Sequence, residues 1–433
     1  MGKSSFFDLD TIALHSGHVP DEAHGCRAVP IYQTTSYVFD NVDEGAALFN
    51  IEKGGHIYSR ITNPTVAILE QRLAALEGGT GAICTASGMS ALFVTFMTLC
   101  SAGDHIVSAS QIYGSTVTLL THTLKRFNID CTFVSINDES ALNSAIQKNT
   151  KLVFCESIGN PGLEVSDLPK ISRVAHSHNI PLVVDATFAT PSLCRPLEFG
   201  VDVVVHSVTK WIGGHGVAIG GVVIDGGEFD WGASDLHPTL TEPYEPFHGI
   251  IFWEEFGPSA LTMRIRAESM RDFGPAMSPH SAFLLLQGVE TLSLRMKQHV
   301  QNAIKLSKWL LEQPCVSWVN HPDLPENPTH QIAKRLFPNG AGSMLCFGVK
   351  GGRKGGAAFI DALKLASNLA NVGDSRTLVL HPASTTHSRL DDAAMKAAGS
   401  SPDLIRVSAG IESITDIIND FKVGLKAAEK ASS

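Results

Sequence analysis

From about residue 60 to 226 the chain alternates short apolar, β-branched runs with segments of helical period, the order in which βα units feed a mainly parallel sheet. Seven strands are expected, over residues 81–87, 105–110, 131–136, 152–157, 182–187, 201–207 and 221–225. Asn63-Pro64 opens a helix whose Val66, Leu69, Leu73 and Leu76 share a face until Gly78-Gly79 stops it, and a second helix over 89–99 follows the first strand directly. Residues 227–260 have no period and are rich in Pro, Gly and aromatic side chains; a loop that long in a compact protein carries function or an interface. Beyond it come a helical region over about 281–312, strands near 344–349 and 404–408, and a closing helix near 414–429. The pattern predicts an α/β protein, a mainly parallel seven-stranded sheet plus a smaller C-terminal α/β domain, divided as 1–60, 61–262 and 263–433.

Composition narrows the function classes. The 433 residues are 44% hydrophobic, enough for a large core, and Lys plus Arg is 33 against Asp plus Glu 43, a formal net charge of −10. Such a surface has no general attraction for polyphosphate or anionic lipid, so nucleic acid and membrane are not expected partners and an anion needs a local site. The eight cysteines are scattered without a C-x-x-C pair, which fits a reduced, intracellular compartment. The first residues lack an apolar h-region and no run approaches the ~20 apolar residues that span a bilayer, so a cytoplasmic protein is expected. No metal is expected.

Several residues at strand ends carry possible chemistry. His206-Ser207-Val208-Thr209-Lys210 closes one strand and precedes Gly213-Gly214-His215-Gly216; ligands collect at such carboxyl ends, and a lysine amine there can form an imine with pyridoxal 5'-phosphate (PLP). Taken alone, a surface lysine explains the segment better. Asp185 ends the apolar run Leu182-Val183-Val184, where a carboxylate needs a partner: a pyridinium nitrogen, or backbone N–H groups if it is only a cap. Cys84-Thr85-Ala86-Ser87 runs through Gly88-Met89 into a helix, which offers free N–H groups to a phosphate, although ordinary α/β turns look the same. No dinucleotide or nucleoside-triphosphate glycine motif stands at such a junction. Tyr113, beside Gly114, could lay its ring on a planar cofactor or simply fill a core; Arg60, near Tyr58, is a solvated residue unless a phosphate needs its fork. Arg406 lies in the alternating strand Leu404-Ile405-Arg406-Val407-Ser408, where an inward guanidinium needs either a ligand carboxylate or a protein one.

The segments YSRITNPT (58–65), SGMSA (87–91), YGST (113–116), ESIGNPG (156–162), VVDATFATP (183–191), HSVTKWIGGHG (206–216), HPASTTH (381–387) and IRVSAGIE (405–412), in this order, resemble the trans-sulfuration, or Cys/Met-metabolism, family of PLP enzymes over residues 9–428. The resemblance implies the type I fold of PLP-dependent transferases, aspartate-aminotransferase-like. It implies Lys210 as the lysine that carries the cofactor as a Schiff base, Asp185 on the ring nitrogen, Tyr113 stacked on the ring and Asn160 facing its phenolic oxygen. Gly88, Met89, Ser207 and Thr209 would hold the phosphate, joined by Tyr58 and Arg60 reaching from the 1–60 arm of a neighbouring subunit in a homo-oligomer, a dimer of dimers. Arg406 would clamp a substrate α-carboxylate with Ser384 beside it, and Lys210 and Tyr113 would be catalytic. Ala186 stands where the family commonly has Asn.

Within the family, the insert with Tyr244 and Phe247-His248-Gly249, the stretch AFLLLQGVETLSLR (282–295) and GAGSMLCFGVKGG (340–352) most resemble O-acetylhomoserine sulfhydrylases. These replace the acetate of O-acetyl-L-homoserine with sulfide to give L-homocysteine. Cystathionine γ-synthase and methionine γ-lyase share the motifs and remain alternatives; a nucleotide-binding or regulatory α/β module is the reading from another class.

Overall fold

The computed structural model describes residues 7–386, 388 and 401–432. Its large sheet holds seven strands, β1 (Gly81–Thr85), β2 (His105–Ala109), β3 (Asp130–Val134), β4 (Thr150–Glu156), β5 (Leu182–Asp185), β6 (Val203–His206) and β7 (Gly221–Asp225), in the order β1-β7-β6-β5-β4-β2-β3. β7 runs antiparallel to β1 and β6; the pairs from β6 through β3 are parallel. Every expected strand is present, and most stop one or two residues early. Ser87, Thr187 and Ser207 therefore leave the sheet and stand in the loops above it.

Four helices frame the N-terminal side: α1 (Leu9–His15), α2 (Val42–Phe49), α3 (Pro64–Glu77) and α4 (Gly88–Leu99). α3 begins where the Asn63 side chain accepts from the N–H groups of Thr65 and Val66, and ends at Gly78 with φ +83°. α4 starts at Gly88, one residue earlier than the apolar pattern indicates, because Ser87 and Ser90 cap each other: each side chain accepts from the other's backbone N–H.

The aperiodic 227–260 region is folded into short helical turns. Trp231, Leu240 and Phe252 are buried, the Trp231 ring meets Phe229 edge-on at 4.7 Å, and the Arg264 guanidinium lies 3.7 Å from the centre of the Tyr244 ring. The expected helical region breaks at Thr291 into helices Pro279–Glu290 and Leu292–Leu311.

A second sheet follows, built from β8 (Val316–Asn320), β9 (Met344–Val349), β10 (Ser367–Asn368), β11 (Leu378–Leu380) and β12 (Leu404–Ser408) in the order β10-β11-β12-β9-β8. Its own core gathers Leu345, Phe347, Phe359, Ile405, Val407 and Phe421 under the closing helix Ile414–Ser432. Among the described residues no helix is long and apolar enough to cross a membrane, and all eight cysteines are unpaired.

Candidate active site

Parallel pairing sets the carboxyl ends of β4, β5 and β6 side by side, with Glu156 opposite Asp185 and Asp185 opposite Val205. The loop leaving β6 is anchored at once, since the Ser207 N–H donates to Thr187 Oγ1 at 2.8 Å. It then turns tightly: the N–H of Lys210 donates to Ser207 O at 3.1 Å and the N–H of Gly214 to Lys210 O at 2.7 Å. Arg295, buried, donates to Trp211 O at 2.6 Å, Ile212 O at 3.0 Å and Gly288 O at 2.6 Å, holding the loop from behind. The Lys210 side chain is half-buried and its amine donates to Asn371 Oδ1. Burial lowers the pKa of that amine, and the positive charge of Arg406 lowers it further.

Asp185 is pushed above the usual carboxylate range by burial, against which the Thr187 hydrogen bonds and His206 act; the Thr187 N–H reaches its Oδ1 at 2.9 Å. Among the described residues no Lys, Arg or His forms an ion pair with Asp185, and only the more distant His206 favours its ionised form by charge. Beside it, Glu156 is raised well above its ordinary value, first by burial and then by Asp185. Its Oε1 accepts the Tyr113 N–H at 2.6 Å, which fixes the backbone beneath the Tyr113 side chain; that side chain is 47% exposed. Ala186, where the family pattern favours Asn, is fully buried and its N–H donates to Val205 O at 2.9 Å, so an amide there would need a partner inside the core.

The α4 N-terminus and the Lys210 loop meet closely. A Cβ added to Gly88 would stand 2.6 Å from Ser207 Cβ, so only glycine lets the first N–H groups of a twelve-residue helix come beside Ser207. Met89, next in the helix, is touched by Thr116 Oγ1 at 3.9 Å from its sulfur. Thr209 is turned to the return strand, its hydroxyl donating to Gly220 O at 3.1 Å and accepting from Gly220 N at 3.0 Å.

Arg406 reaches the same place from β12. Burial pulls its guanidinium below its ordinary pKa, and Cys346 and Tyr113 act in the opposite sense. No carboxylate among the described residues pairs with it. Ser384 lies in the turn after β11, its hydroxyl 2.8 Å from His381 Nδ1; His387 of the same motif lies outside the described residues. Asn160 is buried before Pro161. Tyr58 and Arg60 are exposed: the Arg60 guanidinium donates to Arg271 O and lies 5.4 Å from the Tyr58 ring centre.

The donor set fits PLP. Asp185 offers an unpaired carboxylate for a pyridinium, Lys210 a depressed amine for an aldehyde, and the Gly88–Ser207 contact a row of N–H groups for a phosphate. Arg406 leaves a buried cation for a substrate carboxylate. Sequence reasoning passed over Glu156, Asn371 and Arg295. The first was visible as an acid ending an apolar strand; Asn371 and Arg295 carried no local signal.

Comparison with known proteins agrees with this chemistry. The sequence pattern of the Cys/Met metabolism PLP-dependent enzymes matches residues 10–426. Homocysteine synthase of Schizosaccharomyces pombe is 50% identical over 422 residues, covering 97% of this chain and 98% of its own. O-acetyl-L-homoserine sulfhydrylase 1 of Thermus thermophilus is 46% identical, covering 96% and 99%. The crystal structure of a protein from Campylobacter jejuni described as a putative O-acetylhomoserine (thiol)-lyase superposes with a TM-score of 0.94 at 39% identity, over 97% of this chain and 100% of that one, and it holds a pyridoxyl-lysine monophosphate. With the match running through both sheets and every strand-end motif, this chain belongs to the Cys/Met metabolism family of PLP-dependent enzymes.

Proposed function

We propose that the chain is an O-acetyl-L-homoserine sulfhydrylase, replacing the γ-acetate with sulfide to form L-homocysteine. The observation that carries this reading is the convergence of Asp185, Lys210 and Arg406, three ionisable groups without ion-pair partners among the described residues, at the carboxyl edge of the large sheet. Near-full-length identity of 44–50% to sulfhydrylases and homocysteine synthases supports the choice within the family.

In this reading Lys210 carries PLP, Asp185 holds its ring nitrogen protonated and Tyr113 covers one face. Asn160 faces its phenolic oxygen, and Gly88, Met89, Ser207 and Thr209 bind the phosphate together with Tyr58 and Arg60 of a neighbouring subunit. Bound there, PLP supplies an electron sink for charge developing on the α-carbon. Arg406 takes the α-carboxylate through a bidentate pair, with Ser384 alongside, which orients the α-hydrogen. Lys210, freed when the substrate amine takes its place and drawn toward its neutral form by burial and Arg406, removes the α-proton, passes it back to the conjugated substrate, and then, a free amine once more, removes a β-proton. Tyr113 assists departure of acetate from the γ-carbon, and Lys210 returns the protons after sulfide adds. Residues 1–60 serve as the arm that completes the partner's site, ahead of a PLP-binding unit over 61–262 and a C-terminal unit over 263–433, in a dimer of dimers.

The test is a product assay of purified protein with O-acetylhomoserine plus sulfide against O-succinylhomoserine plus cysteine. Homocysteine from the first pair is expected to exceed turnover of the second pair at least tenfold. Cystathionine from the second pair as the main product, or a 2-oxo acid and ammonia from either, replaces this reading by one of its two relatives.

A further inference from the structure

The chain between β10 and β11 crosses the loop that carries Lys210. Gly373, with φ +78°, packs so closely on it that a Cβ there would stand 2.6 Å from the Trp211 nitrogen and 2.9 Å from Lys210 Cβ. Its N–H donates to Ser408 Oγ at 3.0 Å, and the N–H and hydroxyl of Ser375 donate to Gly214 O at 2.9 and 2.7 Å. The crossing therefore ties the Lys210 loop to β12, the strand of Arg406, and brings Asn371 to the lysine amine, which donates to its Oδ1.

We propose that Asn371 is a positioning residue for the reaction described above: its side-chain carbonyl receives the Lys210 amine whenever that amine is not covalently engaged, and holds it in one orientation, ready to take a proton. This role rests on Lys210 being the cofactor lysine. An amine that donates one N–H to a fixed acceptor keeps its lone pair in a fixed direction; on taking the substrate α-proton it becomes an ammonium, the electron pair stays on the substrate carbon, and the same carbonyl still accepts from it. A neutral acceptor is the suitable kind. Burial and Arg406 draw the amine toward its neutral, basic form, and a carboxylate at 371 would oppose both by about one to three pKa units. The other ionisable groups around the amine include Arg406 and Cys346 from the smaller sheet, Glu156 and Asp185 from the larger one, Tyr113 in the loop after β2, Arg295 behind the lysine loop, and Asp374 on the crossing itself, which pairs with Arg376 at 3.1 Å.

The test compares Asn371→Asp and Asn371→Ala in the full-length protein. In cofactor-free protein, Lys210 is methylated with formaldehyde and cyanoborohydride across pH and read by peptide mass spectrometry; Asn371→Asp, nearly the same shape, is expected to move the midpoint up by about one to three units. In the holoenzyme, Asn371→Ala is expected to lower kcat about tenfold with KM changed less than about twofold, and Asn371→Asp to move the rising limb of the kcat profile upward in step with the labelling. A midpoint that stays in place in Asn371→Asp overturns the proposal, as does wild-type kcat in Asn371→Ala. Loading wild-type protein with PLP is expected to shield Lys210 from methylation. Failure to shield overturns the proposal together with the reading beneath it, whereas shielding with an unmoved midpoint removes Asn371 alone.

Discussion

Arg406 sits in an apolar strand with no carboxylate among the described residues to offset it, and such a charge destabilises the fold unless an anion arrives. Arg406→Lys keeps the charge and loses the planar fork, so KM for O-acetylhomoserine should rise about tenfold or more while the visible spectrum of bound PLP is unchanged. A steady-state titration with a parallel absorbance scan checks both halves. Glu156 makes a different kind of contribution. With its carboxyl pushed well above the ordinary range by burial and by Asp185, its work is to accept the Tyr113 N–H, which an amide does as well. Glu156→Gln should keep activity within a few-fold, and Glu156→Ala should lose much more because a buried donor is left unmet at a cost of about 1–3 kcal/mol. Equal kinetics for the two variants would remove that role. Asp185 was legible as a carboxylate that ends an apolar strand, and Lys210 only through the HSVTK motif of the family, since by itself a lysine beyond the end of β6 reads as a surface residue. Asn371 was not, since its importance comes from a backbone crossing between sheets that leaves no periodic trace.

At the scale of elements, the junction of α4 with the β6 loop depends on one missing methyl group. Gly88→Ala would drive Cβ into Ser207, 2.6 Å away, and separate the helix N-terminus from the loop. PLP should then bind the cofactor-free variant at least tenfold more weakly, measured by fluorescence titration, with little loss of helix content by circular dichroism. The large sheet was readable strand by strand because its runs, all but that of the edge strand β3, are buried on both faces and bounded by turn residues. The smaller sheet was readable only at β9 and β12. β10 is two residues long and β11 three, below the length at which alternation can be recognised, and β8 lies at an edge with no buried run. The 227–260 insert gave no period because its order comes from the packing of Phe229 and His237 around Trp231 and from Arg264 over Tyr244, contacts at irregular sequence spacing.

For the whole molecule, the arm proposal has a direct consequence. Mixing Lys210→Ala with Arg60→Ala subunits after joint unfolding and reassembly should restore about a quarter of wild-type activity, since half the dimers are hybrids with one intact site in two. Verified hybrids with no activity would place each site within one chain. Stability should carry its own pH signature through Asp225, whose carboxyl is pushed up to about 7 by burial with Asp202 adding to it. An acid with a raised folded pKa holds its proton more tightly when folded, so its contribution is present at acid pH and is lost as pH rises from about 4 to about 7. Asp225→Asn keeps an acceptor for the Gly227 N–H, and its gain in Tm over the parent should be largest above pH 7 and fade toward pH 4, as scanning calorimetry would record. Finally, the clasp formed by Arg295 uses only main-chain carbonyls of Trp211, Ile212 and Gly288. Side-chain changes at Trp211 and Ile212 leave their carbonyls in place as acceptors, whereas a Cβ at Gly288 would collide with Gly213 O and one at Gly214 with the Arg295 guanidinium, and with that guanidinium titrating only near about 10 the clasp does not loosen across the ordinary pH range. The durability of the lysine loop over evolutionary time is therefore vested in three codons, those for Arg295 and for the two glycines, Gly214 and Gly288, that let it in.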